Sequence, residues 1–384
     1  MYMKTNKFLL FLSFLLISVF LINSCKSKDE NVIRIGAILP LTGGGSEWGI
    51  ASRNAIHMAL DELNQEKSND LIFEVIFEDS KTNSRDAINA LNKLHSQGIR
   101  FIIGDIISSN VLSMAPIVER NNILLISPGA SNPDISHAGE NIFRTWQSDA
   151  LEAQVGAAFI LDSLNWQRIA VLYLENGYGT GLSTEFIKLL REQGIEPVLI
   201  ESFRVGQGNF RDIISKISNI NPEGIYIASY PEENFSLLRQ FQESNINIPV
   251  VGTQGFVSPK LDELLPLLSF PISYTIPEPP DSNAVEVRRF IDRYKEQFGV
   301  SPAITADAAY DAFMLLAAGI IKYGYDVDLV RTFLHSIIDY SGASGVITFN
   351  KYGDVEKPFK FIENEFWDLY IKEKFKKEKS TLKN

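Results

Sequence analysis

Short apolar runs alternate with amphipathic segments along most of this 384-residue chain, and no other feature of the sequence constrains its fold more strongly. The first unit joins the apolar run Val32–Leu39 to a segment over residues 50–65, where Ile56, Leu60 and Leu63 recur at helical spacing. Strands that alternate with helices form parallel sheets, because each helix carries the chain back across the sheet in a right-handed crossover. The units are too numerous for one open sheet of ordinary size. We therefore predict an α/β fold with two lobes, each built on a doubly wound parallel sheet.

The units fall into two runs, and this division predicts how the lobes share the chain. The second run begins with a predicted helix over Ala150–Leu164. Later, the stretch Thr275–Asp281 carries three prolines and indicates a stiff connection. We predict one lobe from residues 31–146 plus 275–345 and the other from residues 147–274 plus 346–371, preceded by a tether over 25–31 and followed by a basic tail over 372–384.

The N-terminal segment has the pattern of an export signal. Two lysines precede the apolar run Phe8–Ile22, which is shorter than the roughly 20 residues that span a bilayer. Cys25, the only cysteine, follows this run, and Ile22–Cys25 resembles a bacterial lipobox with an atypical second residue, Asn23. We predict a lipoprotein signal peptide over residues 1–24 and a lipid on Cys25; the alternative is an incidental cysteine after an ordinary signal.

The composition argues against several classes of function. The formal net charge is −11, whereas a nucleic-acid partner requires a concentrated basic face. A single cysteine cannot form an intramolecular disulfide, and the chain contains no GxSxG or HExxH motif. Histidines occur without metal-ligand spacing at His57, His95, His137 and His335. We therefore expect no metal, no cofactor, no nucleic-acid partner and no enzymatic activity, although distant residues could still assemble a catalytic site.

Polar loops follow several of the predicted strands. The apolar run Phe101–Ile103 is followed by Ser108, Ser109 and Asn110, which precede a helical pattern. Free N–H groups and the positive end of the dipole at a helix start favour a carboxylate or another anion; the alternative is that these side chains only cap the helix. Similar loops occur at 40–49, 127–133, 176–181, 229–233 and 253–255. Because ligands of such sheets bind beyond the carboxyl ends of the strands, we expect these loops to line a ligand site.

The glycine-rich loop Pro40–Gly49 holds a tryptophan, Trp48, at the start of a predicted helix. Its glycines lack the spacing of a nucleotide-binding loop, and no Lys-Ser or Lys-Thr pair follows them. We therefore interpret Trp48 as a flat apolar wall beside the anion site. The alternative is a surface contact that fixes the start of the helix.

Six segments together resemble the periplasmic solute-binding proteins of branched-chain amino-acid ABC transporters. They are IRIGAILPLTG at 33–43, EWG at 47–49, IIGDIISS at 102–109, ISPGASNP at 126–133, RIAVLYLENGYGTG at 168–181 and GTQG at 252–255. The resemblance extends over about residues 32–362. It implies a type I periplasmic binding fold, in which a three-segment hinge joins two lobes that close on a ligand in the cleft between them.

The resemblance also implies roles for individual residues. Trp48 would flank the ligand, and Tyr178 and Tyr230 would close over it from the second lobe. The ligand's carboxylate would be held in the first lobe. The resemblance places its donors at Ser108 and Ser131, with the backbone near Ile106 and Ala130. The polar pattern at the helix start adds Ser109 as a further donor for this carboxylate.

Gln254 departs from the family pattern. Relatives that bind amino acids place a glutamate there, which pairs with the ligand's ammonium, whereas an amide gives no charge-assisted pair. A buried ammonium without a carboxylate partner costs on the order of several kcal/mol. We therefore expect a ligand that carries a carboxylate or amide but is not a simple branched-chain amino acid. If it is an amino acid, Glu175, Glu232 or Glu233 must approach its nitrogen.

These features together predict an exported, monomeric solute-binding protein with a lipid anchor in the cell envelope, on its periplasmic or extracellular face. It would capture a small polar ligand, an amino acid or a related carboxylate or amide, and deliver it to an ABC transporter permease. The alternative function is a ligand-sensing module that reports to a membrane receptor.

Overall fold

The computed structural model describes residues 31–65 and 71–372. The predicted signal peptide over 1–24, the predicted lipidation site Cys25 and nearly all of the tether over 25–31 lie outside the described residues. The same holds for the predicted basic tail beyond residue 372.

Strands and helices alternate along the described chain. The strands are β1 Val32–Leu39, β2 Ile72–Asp79, β3 Phe101–Gly104, β4 Leu124–Ser127, β5 Ile142–Arg144, β6 Ile169–Leu174, β7 Leu199–Phe203, β8 Gly224–Ala228, β9 Val250–Gly252, β10 Ile272–Pro277, β11 Tyr340–Gly342, β12 Gly345–Ile347 and β13 Phe359–Glu363. The α-helices are α1 Ser46–Gln65, α2 Ser84–Ser96, α3 Ser108–Arg120, α4 Asp149–Ala158, α5 Gly177–Glu192, α6 Arg211–Ile220, α7 Pro231–Glu243, α8 Pro259–Leu264, α9 Val285–Phe298, α10 Ala306–Tyr323 and α11 Val327–His335, and residues 365–372 are also helical.

The first lobe is built on a parallel sheet with the strand order β2-β1-β3-β4-β5. Strands β3 and β4 are buried along their whole length, as their unbroken apolar runs predict. Helices α2 and α3 cover one face of the sheet, and α1 packs with α10 on the other. The carboxyl ends of β3 and β4 face the second lobe, and the polar loops that follow these strands lie there.

The second lobe is built on a sheet with the strand order β13-β10-β9-β8-β6-β7. Neighbouring strands are parallel except for β13, which is antiparallel to β10. The predicted α/β fold with two parallel-sheet lobes is confirmed. The antiparallel edge strand is the exception, because the chain returns from the first lobe and adds this strand last.

The chain passes between the lobes three times, at residues 145–148, 278–284 and 354–358. Two of these crossings lie beyond the predicted boundaries at 275 and 345. Strand β10 stays in the second sheet as far as Pro277, and Phe349 still packs on Phe143 of the first lobe, with ring centroids 5.3 Å apart. Both predicted boundaries are wrong by a few residues, because the prolines and turns that suggested them do not coincide with the ends of the strand pairing.

Helix α5 begins at Gly177, although its glycines predict a loop over 176–181 and a helix only from residue 182. The Asn176 side chain accepts a hydrogen bond from the Gly179 N–H at 2.8 Å and so caps the helix. This prediction of a loop is therefore wrong. Tyr178 lies in the first helical turn, at the end of α5 that faces the first lobe.

Candidate functional site

A cavity lies between the lobes, at the carboxyl ends of both sheets; the space there that no atom fills is about 430 Å³, part of it open to solvent. It is lined by Trp48, Ile106, Ser108, Gly129, Ser131, Trp146, Tyr178, Tyr230, Gln254, Gly255, Ile304 and Thr305. Most of the predicted ligand-binding residues are thus brought together, and only Ser109 and Ala130 are absent from the lining. Sequence reasoning missed Trp146, Ile304 and Thr305, because they come from a crossing segment and from the loop before α10. The contacts that each residue makes with a ligand stay predictions.

The serine wall of the cavity is held together by its own hydrogen bonds. Ser108 Oγ accepts from the backbone N–H groups of Ser131 and Asn132, each at 3.2 Å. Ala130 N–H donates to Ser127 Oγ at 2.9 Å. The predicted backbone donor at Ala130 is therefore already used within its loop. Ser108 does not cap α3, and its hydroxyl hydrogen remains free to donate.

Ser109 lies behind this wall, at the contact between the lobes. Its carbonyl oxygen accepts from Ser84 Oγ at 3.1 Å, and its backbone lies against Gly177 of the second lobe. The Asn132 amide also donates to the Gly177 carbonyl across the same contact. Ser109 does not line the cavity in this structure, because the turn of α3 directs it toward the second lobe. Its contact with a ligand stays a prediction.

Asp105 is fully buried beneath the serine wall. It accepts hydrogen bonds from the Ile107 N–H at 3.1 Å and from the Asn110 amide at 2.8 Å. Burial raises the pKa of Asp105 to about 6, although these hydrogen bonds favour its ionised form. No lysine or arginine lines the cavity, so an anion at this wall would be held by hydroxyl groups and dipoles alone.

Aromatic rings close the cavity from both lobes. The rings of Trp48 and Tyr230 meet edge to face across the cleft, with centroids 5.4 Å apart, and Tyr178 stacks on Tyr230 at the same separation. The Tyr178 hydroxyl is hydrogen-bonded to Thr253 Oγ1 at 2.8 Å. Burial raises the pKa of both tyrosines, so both hydroxyls stay neutral. The aromatic rings form the apolar walls of the cavity, and its two ends are polar.

The sequence of the chain also matches a known protein family. A family model described as periplasmic binding protein matches residues 32–363. The chain belongs to this family. The resemblance predicted from the six segments is thereby confirmed.

Relatives of this periplasmic binding protein include binding proteins for branched-chain amino acids. It is 27% identical over 343 residues to the leucine-, isoleucine-, valine-, threonine- and alanine-binding protein of Pseudomonas aeruginosa, covering 88% of this chain and 91% of that protein. It is 28% identical over 332 residues to the Leu/Ile/Val-binding protein BraC3 of Rhizobium johnstonii, covering 84% and 89%. The crystal structure of the leucine-binding protein LivK from Thermotoga maritima is similar with a TM-score of 0.79 and 27% identity, covering 86% of this chain and 94% of that one.

Gln254 of this periplasmic binding protein is held at both ends of its amide group. Its Oε1 accepts from Trp146 Nε1 at 3.1 Å, and its Nε2 donates to Asp149 Oδ1 at 3.1 Å and to Glu152 Oε2 at 2.9 Å. An indole nitrogen can only donate, so the contact with Trp146 assigns the oxygen and nitrogen of the amide. Gln254 therefore presents a defined orientation to the cavity.

Two fully buried carboxyl groups, Asp149 and Glu152, lie behind Gln254 in the first turn of α4. Glu152 also accepts from the backbone N–H of Gln254 at 2.6 Å and from the Thr275 hydroxyl. Burial raises the pKa of Glu152 to about 7. Burial also raises the pKa of Asp149 well above its ordinary value, and the neighbouring Glu152 raises it further. Sequence reasoning missed this pair.

The acidic residues predicted as substitute partners for a ligand amine lie elsewhere. Glu175 and Glu232 are exposed on the surface. Glu233 is buried, but its carboxylate accepts from the Gly206 N–H at 2.7 Å, and none of the three lines the cavity. None of the three side chains faces the cavity in this structure, and α7 directs Glu233 toward the β7–α6 loop. That one of them approaches the nitrogen of an amino-acid ligand stays a prediction.

Arg144 joins the serine wall to the hinge. Its fully buried guanidinium donates to Asp354 Oδ1 at 2.6 Å, to Ser136 Oγ at 2.7 Å and to the Asn132 carbonyl at 2.9 Å. Asp354 begins the third crossing, and Asn132 belongs to the loop that carries Ser131. Arg144 therefore fixes one wall of the cavity against the hinge.

Among residues 31–65 and 71–372, no cluster of histidine, cysteine, aspartate and glutamate side chains could hold a metal ion. None of the helices in the same ranges is both long enough and apolar enough to cross a membrane.

Proposed function

We propose that this protein is the solute-binding component of an ABC transporter. It captures a small polar ligand, an amino acid or a related carboxylate or amide, and delivers it to the transporter permease. The observation that carries the proposal is the cavity between two lobes, walled by serines and aromatic rings at the carboxyl ends of both sheets. Branched-chain amino-acid-binding relatives that share most of the chain's length support it.

The cavity also supports binding without turnover. Its lining holds no carboxylate, imidazole, thiol or amine side chain that could serve as a nucleophile or general base. Two lobes joined by three crossings suit closure around a solute and its later release. We therefore propose a monomeric binding protein with no catalytic step.

The test is to identify what the protein carries. Residues 26–384 include the whole described fold, so this form is purified, denatured, and its released small molecules are analysed by mass spectrometry. We expect one compound with a carboxylate or amide group, in near-equimolar amount, which rebinds in calorimetry without being altered. Rebinding with chemical conversion would contradict the proposal. Co-immunoprecipitation of the full chain with a receptor kinase and not with a permease would favour the sensing alternative.

A lipid anchor at Cys25 is the second part of the proposal. It rests on the sequence, because Cys25 lies outside the described residues. Each buried methylene of an attached lipid would add about 0.8 kcal/mol of membrane affinity. We expect Cys25→Ser to move the protein from the membrane fraction to the soluble fraction, while Ser27→Ala leaves it membrane-bound. A Cys25→Ser protein that stays membrane-bound and retains residues 1–24 would show an uncleaved anchor instead.

A further inference from the structure

All three crossings between the lobes contribute to a second pocket, which we call the hinge pocket. Trp146 and Gln147 come from the first crossing, Glu278 from the second and Lys357 from the third. The space there that no atom fills is about 1060 Å³, part of it open to solvent. Trp146 also lines the cavity between the lobes, so its indole ring belongs to a wall that the cavity and the hinge pocket share.

Gln147 is the buried polar side chain of the hinge pocket that lacks partners. It is 1% exposed, and neither its amide oxygen nor its amide nitrogen has a hydrogen-bond partner within residues 31–65 and 71–372. A buried amide that has given up its hydrogen bonds to water without replacing them is costly. Gln254, on the cavity side of Trp146, has both ends of its amide bonded. The Gln147 amide is therefore available to a group that both donates and accepts.

Most of the remaining lining of the hinge pocket is apolar. Val257 and Ile276 contribute from the second lobe, and Phe290, Ile291 and Ala343 from the first. Apolar walls of this kind hold the hydrocarbon body of a small molecule, while a few placed polar groups fix its orientation. The hinge pocket therefore fits an amphipathic molecule that is smaller than a peptide.

The charged side chains of the lining do not favour an ionised ligand. Lys357 Nζ already donates to the Ser344 carbonyl at 2.8 Å and to Ser344 Oγ at 2.7 Å. Burial lowers the pKa of Lys357, whereas the charge of Asp307 raises it. Because Asp307 and Glu278 also line the pocket, an anion would meet more negative than positive charge. An ammonium group could satisfy only the oxygen of Gln147, so a neutral group that donates and accepts fits best.

We propose that the hinge pocket is a second ligand site, separate from the cavity between the lobes, for a small neutral molecule with an apolar body and a primary amide group. The ligand's amide oxygen accepts from Gln147 Nε2, and its amide nitrogen donates to Gln147 Oε1. The apolar body lies against Ile276, Phe290 and Ile291. This site goes beyond the proposed function, because it gives the protein an effector in addition to its solute.

A molecule in the hinge pocket stabilises the lobes in contact. In the structure the rings of Trp48 and Tyr230 meet across the cleft, and the pocket has its described walls in this arrangement. The crossings change direction when the lobes separate, so the open arrangement does not keep the same walls. A ligand that binds one arrangement better shifts the population toward it, and the coupling between two sites is reciprocal. The hinge ligand therefore favours closure of the lobes.

The first experiment compares molecules of one shape with different head groups, by calorimetry on the purified full chain. The aliphatic set is hexanamide, heptan-2-one and hexanoate, and the aromatic set is benzamide, acetophenone and benzoate. The amide donates and accepts, the ketone only accepts, and the carboxylate accepts and carries a charge. We expect at least one amide to bind, about 10-fold or more tighter than the ketone and the carboxylate of its set.

The second experiment locates hexanamide on the wild type by NMR of isoleucine methyl groups. Ile276 and Ile291 line the hinge pocket but not the cavity, whereas Ile106 lines the cavity but not the hinge pocket. We expect nuclear Overhauser effects from hexanamide to the methyl groups of Ile276 and Ile291 and none to those of Ile106. Effects to Ile106 alone would place the amide in the cavity and overturn the proposal.

The third experiment uses Gln147→Met, which keeps the length of the side chain and removes both hydrogen-bonding groups. This variant should bind hexanamide about 10-fold more weakly and heptan-2-one within about threefold of the wild type. Without ligand it should melt no more than about 2 °C below the wild type, because the amide has no partner to lose. The matched control is Gln193→Met at an exposed glutamine, which should change none of these values. Circular dichroism confirms that both variants are folded.

Small-angle scattering tests the effect on the lobes. Saturating hexanamide should reduce the radius of gyration of the wild type with no other ligand added. The Gln147→Met protein at the same concentration should become much less compact than the wild type does. If hexanamide occupies the hinge pocket and the radius is unchanged, its stabilisation of the closed lobes is overturned.

The proposed site is overturned if neither amide binds at about 10 mM, above the millimolar affinity expected for a molecule of this size. It is also overturned if the ketones and carboxylates bind as tightly as the amides. A Gln147→Met protein that melts more than about 5 °C below the wild type would show that the amide is already hydrogen-bonded to water and that the pocket is only hydrated. The proposed solute-binding function is independent of all these outcomes.

Discussion

Replacing Arg144 with methionine is expected to lower the free energy of unfolding by about 3–5 kcal/mol. The Arg144 side chain is 0% exposed and that of Asp354 is 8% exposed, with their charged atoms 2.6 Å apart. Methionine retains much of the apolar volume but leaves the Asp354 carboxylate buried without a cation. The loss is large because the remaining charge stays desolvated after its partner is gone.

Urea denaturation followed by tryptophan fluorescence measures this change. The matched control is Arg34→Met, which removes the surface pair with Glu74, where both side chains are about half exposed. Exposed pairs contribute only about 0–1 kcal/mol, so the control should remain close to the wild type. A change for Arg144→Met as small as that of the control would show that the Arg144–Asp354 pair is not important for stability.

The fold could be predicted because its signals are local. The apolar run Phe101–Ile103 with polar residues after it marks a buried strand, and the same pattern recurs at β4, β6 and β8. Parallel topology and the edge at which the loops meet then follow from general rules of α/β sheets. The exact lobe boundaries could not be read in this way, because they depend on which residues of β10 and β12 find pairing partners.

The sequence was less informative about which residues form the cavity. Trp48, Ser108 and Gln254 stand at positions marked by strand ends, and each lines the cavity. Ser109, one residue further along, does not, because adjacent residues of a helix start point in different directions. The serines in the sequence predict which loop lines the cavity, but only the packed helix shows which hydroxyl group faces the cavity.

Asp149 and Glu152 were missed for a physical reason. Acidic residues in the first turn of a helix usually lie on the surface, where they complement the positive end of the dipole. Here α4 is packed so that the same turn contacts Gln254 after β9 and Thr275 in β10, more than 100 positions later in the chain. Burial, raised pKa values and coupling to the cavity all follow from that long-range contact. The sequence therefore predicted the amide at position 254 as part of the site. It did not predict the two carboxyl groups that accept hydrogen bonds from this amide.

Gly177 carries the second prediction of large effect, because it lies where the lobes meet. A Cβ atom added at Gly177 would lie 2.7 Å from the backbone nitrogen of Ser109 and 3.0 Å from its Cα. Both atoms belong to the first lobe, whereas Gly177 begins helix α5 of the second. Backbone atoms cannot move aside as a flexible side chain can. A larger residue here should therefore oppose closure without disturbing either lobe.

We expect Gly177→Val to weaken ligand binding by about 100-fold, equivalent to about 2.7 kcal/mol, because the ligand must then stabilise lobes that cannot fully close. Small-angle scattering should show that the wild type becomes more compact with its ligand, while the variant does not. The thermal unfolding temperature without ligand should stay close to the wild-type value.

The matched control is Gly208→Val in the same lobe, where an added Cβ meets no atom within 4 Å. This control should bind the ligand and close as the wild type does. If Gly177→Val keeps the wild-type affinity and becomes as compact with ligand, the lobes do not meet at Gly177 and Ser109 when the ligand is bound. The lobes would then close with a different contact between them.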